Sequence, residues 1–177
     1  KKNLDFLIWD PQMIVSAQKI WKKRKNYILK INKELKKITE TNKTKAEVQI
    51  KGIETNLETI KKEVFSRNKK DKEKGYTTYG PHRDSILYFF ENKKIKNYIS
   101  QGEKALFFAT LKKAEAEVVK KETKTEPIVL LDDIFSKTDN TNKQTIINLF
   151  KETKQTIITH TTKIKQTNNI SINNEKN

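Results

Sequence analysis

Residues 127–139 read PIVLLDDIFSKTD, and the reading of this stretch decides the fold. Ile128, Val129, Leu130 and Leu131 form an unbroken apolar run, which predicts a strand buried on both faces of a sheet. The run ends in two adjacent carboxylates, Asp132 and Asp133. In open α/β sheets, ligands bind outside the C-terminal ends of such strands. A hard cation such as Mg²⁺, with its waters, is one partner for a carboxylate pair of this kind. A core strand running out into a polar turn is the plain alternative, and on the run alone both readings stand.

Working outward, Ser136 and Asp139 open a predicted helix with Ile146, Ile147, Leu149 and Phe150 facing inward. QTIITHTT, residues 155–162, predicts a second buried strand from Thr156 to Thr159, ending at His160. A lone histidine is more often structural than functional. This one stands at a strand end, as the carboxylates do. Upstream, SQGEKALFFATLKKAEAEVV (100–119) predicts a helix with Leu106, Phe107, Leu111, Ala114 and Val118 among its apolar residues. Ser100, Gln101 and Gly102 form its small, polar opening. A helix N-terminus offers free N–H groups and a positive dipole end to phosphate, and Gly102 has no side chain to hold a phosphate away. The competing reading is an ordinary N-cap serine with a first-turn glutamate, Glu103.

YTTYGPHRDSILYFF (76–90) carries strand-forming residues on both sides of a turn at Gly80–Pro81. His82, Arg83 and Asp84 follow that turn, either as an exposed hairpin loop or as a functional trio. Ile95, Tyr98 and Ile99 predict another short strand. The first 75 residues predict a mostly helical, lysine-rich lobe. Asp10 and Pro11 form a helix start, and Ile14, Ala17, Trp21, Ile28, Ile31, Leu35 and Ile38 recur in steps of three and four to about residue 40. Arg24 takes the one polar slot in that seam. Residues 41–46 are polar linker, and Ala46, Val48 and Ile50 alternate as a short half-exposed strand. Leu57, Ile60, Val64 and Phe65 mark a second helix, which stops at Gly75. Leu4, Phe6, Leu7, Ile8 and Trp9 are apolar and need a surface to bury against. The tail from Lys163 is expected to fray.

The chain has 177 residues, a net charge of +16 and no cysteine. Disulfides and thiolate metal sites are therefore excluded. The positive charge suggests DNA or another polyanion, although a lysine-for-arginine coding bias gives the same sign. No apolar stretch approaches the ~20 residues of a membrane span, and no cleavable signal is evident, so a cytoplasmic protein is expected.

A helix opening with SQG, then an apolar strand ending in DD, then SxxD, then a strand ending in TH, resembles the C-terminal half of an ABC-type P-loop ATPase head of the SMC-like group. With GPHRD in front, the wording is similar to the RecF family of bacterial DNA replication and repair proteins. The likeness covers nearly the whole chain. The fold class it implies is α/β, a C-terminal half-head preceded by a helical lobe. The expected divisions are 1–75 for the lobe, 76–162 for the head portion and 163–177 for the tail.

The resemblance implies roles residue by residue. Ser100, Gln101 and Gly102 resemble the signature that contacts the γ-phosphate of ATP held by the opposite subunit. Asp132 resembles the Walker B residue that holds Mg²⁺ through water, and Asp133 stands where a carboxylate polarises the attacking water. Ser136 and Asp139 resemble the D-loop at the dimer interface, and His160 the switch histidine. His82, Arg83 and Asp84 are implied as DNA-contacting or structural. The family implies ATP and Mg²⁺ as cofactors, a homodimer through the heads, and single-stranded or gapped DNA as partner. It also implies RecO- and RecR-type mediators and a role in recombinase loading and the SOS response.

The sequence departs from the family at Ser85, which replaces a second Asp, at Glu103, and at Lys104. No GxxxxGK[ST] phosphate loop occurs, so the chain is expected to be part of a longer ATPase and not to hydrolyse ATP alone. The alternatives are a non-enzymatic basic helical nucleic-acid-binding protein and a head fragment of another SMC-like ATPase.

Overall fold

A computed structural model describes residues 5–41 and 44–161, with backbone alone for 5–9 and 97–98. The leading apolar side chains and the tail therefore lie outside the described residues. The chain divides into two compact units, Lys1–Tyr98 and Ile99–Asn177. The break falls after Tyr98 and not at residue 75, because a strand on each side of Gly75 joins one sheet.

In the first unit, α1 (Asp5–Thr41) is followed by β1 (Ala46–Lys51), α2 (Leu57–Lys74) and a short 3₁₀ turn at Pro81–Arg83. Then come β2 (Ser85–Phe90), β3 (Lys93–Lys94) and the single turn α3 (Ile95–Tyr98). The strands form an antiparallel sheet in the order β1-β2-β3, with Val48 opposite Tyr88. The seam of α1 behaves as its spacing predicts. Ile14, Ala17 and Trp21 pack with Ile60 and Val64 of α2, while Ile31 and Leu35 are also buried. Asn32 on α1 serves β1 as a substitute strand: its Nδ2 donates to the Val48 carbonyl at 2.8 Å and its Oδ1 accepts the Val48 N–H at 2.9 Å.

Three local expectations are corrected. Asp10 does not cap α1, because helical backbone continues before it. Pro11 lies inside the helix, and the buried Asp10 carboxylate accepts from Asn68 Nδ2 at 3.4 Å. Residues 76–79 form no strand, so the 76–90 stretch is not a hairpin; β2 pairs with β1 instead. Residues 95–98 are helical rather than extended. Glu91 and Asn92, both at positive φ, close a two-residue turn between β2 and β3, and the chain then coils, burying Ile95.

The loop from Gly80 is fastened to α1. Trp21 Nε1 donates to Asp84 Oδ1 at 2.9 Å, and Arg24 Nη1 donates to Asp84 Oδ2 and to the Pro81 carbonyl, each at 2.5 Å. The Asp84 side chain is 5% exposed and that of Arg24 41%. Gly80 has φ +143, and a Cβ there would meet the His82 ring at 3.1 Å, so only glycine fits.

In the second unit, α4 (Gln101–Thr123) packs on β4 (Ile128–Leu131) and on α5 (Asn140–Leu149), and β5 (Gln155–Ile158) closes the described fold. β4 and β5 are parallel, with Leu130 opposite Ile157, and α5 provides the crossover. The expected double burial of β4 is corrected, and so is the expected burial of the second strand, since β5 runs Gln155–Ile158 with its residues exposed or half-buried. Val129 and Leu131 are buried, but Ile128 and Leu130 are 60% and 66% exposed. With two strands and helices against one face only, the pleat turns Ile128, Leu130 and Ile157 outward.

Asp84→Ala leaves Trp21 Nε1 and Arg24 without their shared acceptor. We expect a loss of about 3 kcal/mol of unfolding free energy, read from urea denaturation followed by tryptophan fluorescence. Asp84→Asn, which keeps one acceptor, loses less.

Candidate functional site

Parallel pairing places the C-terminal ends of β4 and β5 side by side, so Asp132, Asp133, Thr159 and His160 share one edge. Thr159 joins them. Its N–H donates to the Leu131 carbonyl at 3.0 Å, and its hydroxyl donates to Asp132 Oδ1. The same hydroxyl oxygen accepts the Asp133 N–H at 3.0 Å. Asp133 sits at φ +46, a left-handed conformation that turns the chain sharply after the strand. Both carboxylates are exposed.

Among the described residues, no group of three or more His, Cys, Asp or Glu side chains gathers as a metal site. The donor set suits Mg²⁺ all the same. That ion keeps several waters and needs one or two carboxylates, and Asp132 Oδ2 makes no hydrogen bond among the described residues. The His160 ring stands edge-on to the buried Phe135 at 5.7 Å, and its Nδ1 is buried without a hydrogen-bond partner.

A second seam lies between α4 and α5. Ser100 is the N-cap of α4: its Oγ accepts the Glu103 N–H at 3.2 Å, and the Glu103 carboxylate accepts the Ser100 N–H at 2.7 Å. Among the described residues, the N–H groups of Gln101 and Gly102, in the first turn, have no recorded acceptor. The sequence expectation that Gly102 admits a phosphate meets a different use of that space. A Cβ on Gly102 would lie 3.2 Å from Asn142 Nδ2 and 3.3 Å from Asp139 Oδ2. Asp139 is itself the N-cap of α5, with Oδ1 accepting the Asn142 N–H at 2.9 Å and Oδ2 accepting Asn142 Nδ2 at 2.6 Å. These bonds, the Asn142 N–H foremost, hold the Asp139 carboxyl below its ordinary value. Gly102 of SQG thus faces Asp139 of SxxD with no room for a side chain between them, while Ser136 is exposed on the turn between β4 and α5. One backbone hydrogen bond ties the SxxD turn to the strand-end cluster: the Ser136 N–H donates to the Asp133 carbonyl at 3.3 Å.

His82, Arg83 and Asp84 belong to the first unit, and each does something different. Asp84 is the buried acceptor for Trp21 and Arg24. His82 Nε2 pairs with the Thr77 carbonyl at 2.9 Å, and Arg83 lies over the Tyr76 ring at 5.1 Å. Two residues of the second unit take roles that the sequence reading did not give them. Thr159 carries no signal in the sequence beyond its place at a strand end. Asn142 follows Asp139 at capping spacing, which was a usable cue.

Strand-end carboxylates, a capped helix and a parallel β-α-β unit define the C-terminal half of an ABC-type ATPase head, and comparison with known proteins bears on which one. The chain is 35% identical over 172 residues to the DNA replication and repair protein RecF of Alkaliphilus oremlandii, covering 90% of this chain and 47% of the relative. It is 34% identical over 164 residues to RecF of Lactococcus lactis subsp. cremoris strain MG1363, covering 92% and 46%. A solved structure of the recombination mediator protein RecF–ATP in the RecFOR pathway superposes with a TM-score of 0.72 at 27% identity, over 89% of this chain and 47% of that one. A scan of protein-family models finds no match. The chain is similar to a C-terminal portion of RecF proteins, and it spans about half the length of the curated relatives it matches.

Because the Asp139 carboxyl is held low, its cap stabilises α5 fully above the ordinary carboxylate value. That contribution is lost as pH falls through the depressed value. In thermal melts across that acid range, the native chain should therefore lose more stability than Asp139→Asn, whose cap does not titrate. Parallel losses would remove Asp139 as the cause.

Proposed function

We propose that this chain is the C-terminal part of a RecF-like DNA replication and recombinational repair ATPase acting in the cytoplasm. It would work as an ATP-driven homodimer of heads on single-stranded or gapped DNA, with RecO- and RecR-type mediators, in recombinase loading and the SOS response. The observation that carries the reading is the Asp132–Thr159–Asp133 cluster at one edge of a parallel pair, inside a fold matched to RecF–ATP.

ATP, when bound with Mg²⁺, supplies the phosphoryl group and the charge that the head must recognise. Asp132, oriented by the Thr159 hydroxyl, offers its second oxygen to the water shell of the cation. Asp133 offers a carboxylate to orient and deprotonate a water. Ser100 and Gln101, with the N–H groups of Gln101 and Gly102, offer the positive end of α4 to a phosphate held by the opposite subunit. Gly102 serves this arrangement by letting α4 approach Asp139, so the signature and the D-loop move as one body. Ser136 is exposed for a dimer contact, and His160 stands beside the carboxylates as the switch residue. The sequence holds no GxxxxGK[ST] phosphate loop, and in this reading the Walker A contacts belong to the portion of the RecF relatives that the chain does not match. The exposed face of Ile128, Leu130 and Ile157 supports this, since the matched relatives are about twice as long.

The test joins this chain to the portion of the Alkaliphilus oremlandii RecF that it does not match. Asp133→Asn should then lower ATP turnover on the order of 100-fold while ATP-dependent dimerisation persists. Turnover equal to that of the unaltered fusion would contradict the assignment.

A second substitution reads the signature. Glu103→Gln keeps an acceptor for the Ser100 N–H but removes a negative charge from the end of α4 offered to phosphate. Dimerisation with ATP should tighten by roughly 2- to 5-fold, measured by sedimentation at graded ATP. A weaker dimer would show that Glu103 contributes more than a cap.

A further inference from the structure

Of the chain's three arginines, two are matched to carboxylates: Arg24 to Asp84, and Arg67 to Glu63. Arg83 is not. Among the described residues its one recorded partner is the Tyr76 ring, 5.1 Å from the guanidinium carbon. Lys74 Nζ lies over the same ring, 5.8 Å from its centre, and also meets no carboxylate. One aromatic ring thus gathers two cations, and the ring is 52% exposed. Two like charges drawn to one ring, neither in a recorded ion pair with a carboxylate among the described residues, repel each other, and a bound anion relieves that repulsion.

The segment that carries these groups is held firmly. Lys74 ends α2, and Gly75, at φ +73, donates its N–H to the Asp71 carbonyl at 2.9 Å. Buried Asp71 accepts both the N–H and the hydroxyl of Thr78 on one oxygen, at 3.0 and 2.6 Å. His82 pairs with the carbonyl of Thr77, next to Tyr76. Asp84 fastens the residue after Arg83 to α1 through Trp21 and Arg24. Tyr76, Lys74 and Arg83 are therefore presented on a backbone tied at four points, which lowers the ordering cost of binding.

We propose that Lys74 and Arg83, held on Tyr76, form a contact for a backbone phosphate of DNA. This rests on the DNA-binding reading above and deepens it. The patch is open rather than enclosed, and exposed Lys69 and Lys70 precede it on α2, so an extended polyanion suits it better than a small anion. The three residues of the GPHRD stretch then have separate duties: His82 and Asp84 hold the loop, and Arg83 presents the charge.

The experiment uses the full chain and a fluorescein-labelled mixed-sequence single-stranded oligonucleotide, with anisotropy read at graded salt. Lys74→Gln with Arg83→Gln should weaken binding at least roughly tenfold and reduce the slope of log affinity against log salt by about 1.4. Tyr76→Leu should weaken it as well, while Lys33→Gln, on the exposed part of α1, should cost less than about threefold. Circular dichroism melts of each variant check that the fold is kept. Photocrosslinking with 5-iodouracil DNA gives an independent reading, with adducts expected within residues 74–83. Unchanged affinity and slope in the double variant, beside a salt-sensitive wild type, would overturn the patch and leave the DNA reading standing. An equal loss in Lys33→Gln, or adducts only elsewhere, would overturn the patch too. A wild-type chain that fails to bind DNA even at low salt would overturn both.

Discussion

The parallel pairing of β4 with β5 is the constraint on which the second unit depends. Parallel strands must be joined by a crossover, so α5 is required between them, and Asp139 is placed where that helix has to begin. Both strands then end on one side, which brings Asp132, Asp133 and Thr159 within hydrogen-bonding reach although they lie far apart in sequence. The same pairing sets what is left open. Alternation along β4 buries Val129 and Leu131 under helices and turns Ile128 and Leu130 outward, giving half of the layered structure that an α/β sheet ordinarily completes.

The first unit rests on a comparable device, a polar group placed inside an apolar seam. Arg24 interrupts the buried stripe of α1, and there the loop after Gly80 is bound through Asp84 and the Pro81 carbonyl. Trp21 contributes its ring to the core and its N–H to the same carboxylate, so packing and polar satisfaction meet in one residue. Breaking a buried pair of this kind by removing one partner costs more than the pair itself contributes, because the other group is left uncompensated. The GPHRD stretch is consequently a structural joint before it is anything else.

Much of this was legible in the sequence, and the failures have identifiable physical causes. The α1 seam, the β1 alternation, the β4 and β5 runs and the capped start of α4 all follow from local periodicity and capping chemistry, and each is present. Asp10–Pro11 carries strong start signals, yet the helix runs through it because the backbone before it is also helical. Ile95–Ile99 was read as extended on apolar content alone; the turn at Glu91–Asn92 redirects the chain first. The apolar run of β4 implied two covered faces, but a run cannot say whether the second covering layer lies in the same stretch of chain. The bonds of Thr159 and the Trp21–Arg24–Asp84 joint were illegible for one reason: each depends on partners many residues away. Gly102 shows a subtler limit. Its small size was noticed, but the atoms that need the space, on Asp139 and Asn142, could be named only from the fold.

The proposed function requires the exposed face of Ile128, Leu130 and Ile157 to be covered by the rest of a RecF-like head. The most direct measurement is backbone hydrogen exchange at 128–131 and 155–158. It would compare the chain alone with the chain mixed with the portion of the Alkaliphilus oremlandii RecF that it does not match. The account predicts association and a marked slowing of exchange in both strands. Unchanged exchange, with the two polypeptides remaining separate, would contradict it.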